Sequence, residues 1–147
     1  MNLTQNQKLR INGKECIVKA CVLYQSVHTG RKYWKAFLSG GYELGYQFTD
    51  GDTVAFVGEP IPPLPYDYAK LPEEITYNGR VYRKDGEEQY ERVVKIEFGD
   101  MKDSEGECRF VNYSAEDGSW LSPAIISETG ARADFYGDDT DHYKIEI

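Results

Sequence analysis

Short segments of alternating apolar and polar residues run through the whole chain, cut by turn dipeptides about every 8 to 12 residues, and this rhythm constrains the fold more than any other feature. Cys16, Val18, Ala20, Val22 and Tyr24 recur at every second position, with Glu15 and Lys19 on the opposite face and Cys21 at the opposite parity. His28–Gly30 reads as a turn before a strand from Lys32 to Leu38; Ser39–Gly41 turns the chain again ahead of Tyr42 to Phe48. Asp50–Gly51 is a hairpin signal before Thr53 to Val57. Later, Ile75 to Tyr77, Val81–Tyr82 and a longer strand with Val94, Ile96 and Phe98 opposite Lys95 and Glu97 repeat the pattern. Cys108 to Tyr113, Ser119–Leu121, Ala133 with Phe135 against Arg132 with Asp134, and His142 to Ile147 complete it. The single weak helix signal, Pro123 to Glu128 after Ser122, contains an Ile125–Ile126 pair that suits a strand equally well. The expected class is all-β, of small barrel or sandwich type.

Five of the six prolines fall between Pro60 and Pro72. Proline removes ladder donors and favours extended backbone, so residues 59–72 read as a stiff connector between two packed antiparallel β units, 8–58 and 73–147. Pro62 and Pro65 also satisfy the PxxP spacing of ligands for SH3-type domains, the alternative reading of the same stretch. Each unit opens near an Asn-Gly turn, at Asn12–Gly13 and Asn78–Gly79, which fits internal duplication and equally fits the preference of tight hairpins for that dipeptide.

Charge separates the units. Residues 1–72 hold eight basic and six acidic residues, whereas 73–147 hold nine and nineteen, so balances of +2 and −10 make up the net charge of −8. Such a chain is a poor general binder of nucleic acid, which depends on clustered Lys and Arg. The acidic half is read first as a solubilising surface and second as a surface steering a basic partner. No apolar run is long enough to span a membrane, and Met1–Gln7 lacks the pattern of a secretory signal, so a cytoplasmic location is expected. Cys16, Cys21 and Cys108 are odd in number and lack CxxC spacing, which argues against a disulfide framework and a structural zinc site.

The familiar catalytic and nucleotide motifs, GxGxxG, the Walker loop, GxSxG and HExxH, do not occur, and no catalytic residue or cofactor is assigned. The strongest metal candidate is the turn containing Asp138, Asp139, Asp141 and His142, because hard cations take several carboxylate oxygens; a polar turn before a terminal strand explains it without a metal. The acidic stretch Asp100–Glu107 fails the EF-hand pattern, since Met101 and Asn112 would occupy ligand positions once Gly106 takes the sixth. Tyr24, Tyr33, Trp34, Phe37, Tyr42, Tyr46 and Phe48 make the first unit strongly aromatic, as either a core or a surface stacking bases or sugars.

Tyr33–Leu38 and Arg109–Ser122 together resemble the bacterial domain-of-unknown-function family 4178, through a Trp-aromatic-Leu strand and a later aromatic, Asp-Gly and Leu-Ser segment. The sequence departs from that pattern at Ala36, near an expected acidic residue, and at Pro123 after the Leu-Ser pair. The resemblance implies an all-β accessory protein of bacterial gene neighbourhoods, some connected with membrane stress, and no established activity.

The expected function is a non-enzymatic binding or scaffold module with a protein partner. The alternative is a small-molecule or carbohydrate-binding β-barrel with weak hydrolytic chemistry at a carboxylate cluster. Trp34, Trp120, Asp138, Asp139 and Asp141 are the candidate binding residues. A concave pocket joining Trp34 or Trp120 to two converging carboxylates would favour the alternative, and a filled interior with an exposed edge or apolar patch would favour protein interaction.

Overall fold

A computed structural model describes residues 3–47, 54–100 and 106–147. The expected hairpin at Asp50–Gly51, the ends of its strands at Phe48 and Thr53, and Met101–Glu105 of the second acidic stretch lie outside the described residues. The protein is all-β, built from β1 (Lys8–Ile11), β2 (Lys14–Ser26), β3 (Lys32–Leu38), β4 (Glu43–Gln47), β5 (Val54–Pro60), β6 (Glu74–Tyr77), β7 (Arg80–Lys84), β8 (Gln89–Phe98), β9 (Cys108–Phe110), β10 (Tyr113–Ser114), β11 (Trp120–Ser122), β12 (Ala124–Ile126), β13 (Phe135–Gly137) and β14 (Ile145–Glu146). The ambiguous Ile125–Ile126 pair lies in a strand. No helix among the described residues is long and apolar enough to cross a membrane.

All fourteen strands join one antiparallel sheet, which does not close into a barrel. Its main path runs β12-β9-β8-β2-β3-β4-β5-β13-β11-β10-β7-β6, with β1 paired to residues 14–17 of β2 and β14 paired to β1. Two five-strand meanders are embedded in it: β1 to β5, and β6-β7-β10-β11-β13, joined through their last strands by Phe135 opposite Pro60 and Tyr136 opposite Glu59. Both meanders begin with the same two-residue turn. Asn12 and Gly13 have φ of 50° and 80°, and Asn78 and Gly79 have 50° and 77°. That double positive φ matches the twist of the flanking strands and is the reason Asn-Gly occupies both places.

A bulge corrects the single-face reading of β2. Val18 pairs with Leu38 but Ala20 pairs with Phe37, so Lys19 is an extra residue and the alternation changes face there. Cys16 and Val18 enter a core with Leu9, Ile11, Ala36, Leu38, Leu44 and Val57, whereas Ala20, Val22 and Tyr24 join Phe37 on the other side of the sheet. The expected apolar face of β8 is corrected for the same reason. Register breaks at Val94 and Glu97 leave Val94 and Ile96 outside at 42% and 38% exposure, while Glu91 is buried and Val93 packs under Tyr24.

Residues after Pro60 are tied to the second meander. Ile61, Leu64, Tyr66 and Leu71 pack on the core of Ile75, Tyr82, Val111, Tyr113 and Leu121. The carboxylate of Asp134, read from sequence as outward-facing, is buried and accepts from Leu64 N at 2.8 Å and from both Nε and Nη2 of Arg132 at 3.0 and 2.6 Å. Arg132 Nη1 donates to Tyr66 O at 2.6 Å. This bidentate pair satisfies the charge that burial would otherwise penalise, and it pins the proline-rich segment in place. Pro62, Pro63 and Pro65 remain exposed.

Candidate functional site

The sheet curls so that strands at one end of the path face those past its middle, and the concave side forms a cleft of about 600 Å³. That volume lies in the range of small-molecule sites, about 300–1,000 Å³. Register explains which side chains line it. Tyr33 and Lys35 alternate on the concave face of β3, Lys35 opposite Gly45, and Gly45 opposite Phe56. Trp120 lies opposite Ser114 and Gly137, with Ser122 two residues on at the same face.

At the inner end, Lys35 Nζ contacts Glu91 Oε1 at 2.6 Å and Glu43 Oε1 at 3.8 Å, with all three side chains less than a tenth exposed. The ammonium also sits 5.0 Å from the Tyr24 ring centroid and 6.0 Å from that of Phe56, within cation–π range. Tyr33 donates its hydroxyl to Glu91 Oε2. Burial, reinforced by the Glu91 charge, pushes the Tyr33 phenol far above its ordinary value, so it stays a donor throughout the physiological range.

The outer part is aromatic. A Cβ at Gly45 would fall 2.1 Å from the Phe56 ring, and one at Gly137 would fall 2.1 Å from the Trp120 indole, so each ring lies over a strand where only glycine leaves room. The two rings meet edge to face, with centroids 6.0 Å apart at 89°. Both are half-buried, which leaves ring surface for an occupant. Gln89, Asn112, Ser114 and Ser122 add amide and hydroxyl groups to the lining.

The residues singled out from sequence are distributed unevenly. Trp120 lines the cleft. Trp34 pairs with Leu23 and Tyr46 and packs on the first core, on the opposite face of the sheet. Asp138 Oδ1 accepts from His142 Nδ1 at 3.0 Å, and Asp139 caps the short turn by accepting from Asp141 N at 3.1 Å. The Asp138 carboxylate beside it raises the His142 pKa, and the same hydrogen bond lowers that of Asp138. Asp139 lies beside Gly118 at the cleft margin, and Asp141 and His142 are exposed. Among the described residues, no group of three or more His, Cys, Asp or Glu side chains is arranged to hold a metal ion.

Lys35, Glu43 and Glu91 carry the electrostatics of the cleft, and motif reading did not single them out. The available signal was Lys35 itself, a charge at the position between Tyr33 and Phe37 where alternation demands an inward side chain. Glu91 has no such signature, because it precedes the register breaks of β8.

Comparison with family models, curated proteins and solved structures found no match.

Proposed function

We propose that this protein is a non-enzymatic binding module whose occupant is a small molecule held in the concave cleft. The observation that carries this reading is the continuity of the cleft from the half-buried Trp120 and Phe56 rings to the buried Lys35–Glu91–Glu43 cluster. This is the concave pocket joining an indole to two converging carboxylates. Binding fits it better than hydrolysis. Glycoside cleavage needs two carboxyl groups facing each other across a sugar ring, and here the space between Glu43 and Glu91 is filled by Lys35.

The resemblance to family 4178 adds the role of a bacterial accessory protein to this proposal. A protein partner is the second reading, supported by the exposed Val94 and Ile96 on β8.

The test is a fragment screen by native mass spectrometry and thermal shift on the Trp34→Phe variant, in which Trp120 is the remaining indole. Compounds that bind should raise the melting temperature and change Trp120 fluorescence. A chemically broad library in which nothing does both would overturn the small-molecule reading.

A further inference from the structure

Within that reading, we propose that the cleft takes a neutral saccharide, with a sugar ring lying on the indole of Trp120. Three observations converge on this class. The first concerns charge: Lys35 is already engaged at 2.6 Å by Glu91 and flanked by Glu43, while Tyr33 donates to the far oxygen of Glu91. A charged ligand reaching the inner end would have to break this buried arrangement or lie against it, losing hydration without gaining a better counterion. A neutral polyol exchanges water hydrogen bonds for those of the lining and leaves the ion pairs intact.

The second observation is the ring geometry. Gly137 lets the Trp120 indole lie over its strand, and Phe56, held over Gly45, stands at 89° to it. One ring therefore forms a floor and the other a wall, which suits a puckered ring presenting C–H bonds to a π face. The third is the lining around that corner. Ser114 and Ser122 share the face of Trp120 by register, and Gln89 and Asn112 bring amides that both donate and accept. A purely aliphatic ligand would bury these groups without partners, at a cost. Sugar hydroxyls, which also donate and accept, match them.

The experiment titrates Trp34→Phe protein with a panel of neutral mono- and oligosaccharides, following Trp120 fluorescence and ligand saturation-transfer NMR. Acidic sugars, nucleosides and long-chain alcohols form the comparison arms. A neutral saccharide should bind, shift Trp120 emission and show saturation on ring C–H protons. Trp120→Leu should weaken that binding by about tenfold, the effect of losing one ring contact. Asn112→Leu, at a position outside the cores, should weaken it as well, so the test does not rest on the Trp120 substitution alone. If nucleosides, acidic sugars or alcohols bind the cleft and neutral saccharides do not, the saccharide inference is wrong while the small-molecule reading stands. If no arm perturbs Trp120 and the fragment screen is also empty, both fall.

Discussion

Replacing Lys35 by Met isolates the electrostatics of the cleft. The substitution keeps a long flexible side chain and removes the ammonium that lies 2.6 Å from Glu91 and 3.8 Å from Glu43. Both carboxylates are then left buried without their cation, and the cation–π contacts with Tyr24 and Phe56 disappear. Breaking a buried pair from one side costs about 3–5 kcal/mol, against about 0–1 kcal/mol for an exposed pair. For a chain of this size the upper range corresponds to a fall in melting temperature on the order of 10–20 °C. Urea unfolding should therefore show a midpoint well below that of wild type with an unchanged slope. Adding Glu91→Gln to Lys35→Met removes one of the stranded charges, so the double variant should be more stable than additivity allows, with a coupling energy above about 1 kcal/mol. If Lys35→Met costs less than about 1 kcal/mol, or the two substitutions simply add, the ion pair is not the buried, partner-dependent unit described above.

Gly137→Ala should displace the Trp120 ring, because its Cβ would fall 2.1 Å from the indole; a loss of about 1–3 kcal/mol and altered Trp120 emission in the Trp34→Phe background check this. Cys16, Cys21 and Cys108 are buried, and burial together with Glu97 pushes the Cys21 thiol up to about 12, so alkylation by iodoacetamide at pH 8 should be negligible for the folded protein and complete in denaturant by mass spectrometry. In Asp138→Asn the His142 titration midpoint measured by NMR should fall, since the Asp138 hydrogen bond is the main cause of its elevation. A raised folded-state value means that any stabilisation from protonated His142 is fully present below its unfolded pKa and is lost as pH rises through the folded one. The exposure of His142 makes the midpoint, rather than global stability, the quantity to measure.

Strand class was legible because alternation and turn chemistry are local. Asn12–Gly13 and Asn78–Gly79 are read correctly from two letters, since the required backbone geometry belongs to those residues alone. Facing was less legible, because it depends on register. Lys19 has nothing in its side chain that marks it as an extra residue, yet it sends Ala20, Val22 and Tyr24 to a different core from Cys16 and Val18. Asp134 shows the same limit from the polar side. Alternation with Phe135 places it outward, whereas its buried carboxylate holds Arg132 and the backbone of Leu64, 70 residues away. Trp120 stands out in the sequence by its type, and it lines the cleft. Its partnership with Phe56 depends on two glycines at cross-strand positions, which become neighbours only once the sheet order is known.

The junction between the two meanders has a consequence for how the chain folds. β5 is complete at Pro60 and pairs with β4 on one edge, but the partner for its other edge begins at Phe135, and Lys35 meets Glu91 across 56 residues of sequence. Contacts of such separation make loop closure a large part of the barrier, so the chain belongs with slow β folders, acquiring structure over about milliseconds to seconds. During that interval β5 is an open edge able to recruit a strand from another molecule. Pro60 stands where that edge ends and has no amide hydrogen to offer, so it shortens the edge available to a stranger while still allowing Phe135 to settle opposite it. The first proline of what reads as a linker thus also guards the unfinished sheet against aggregation.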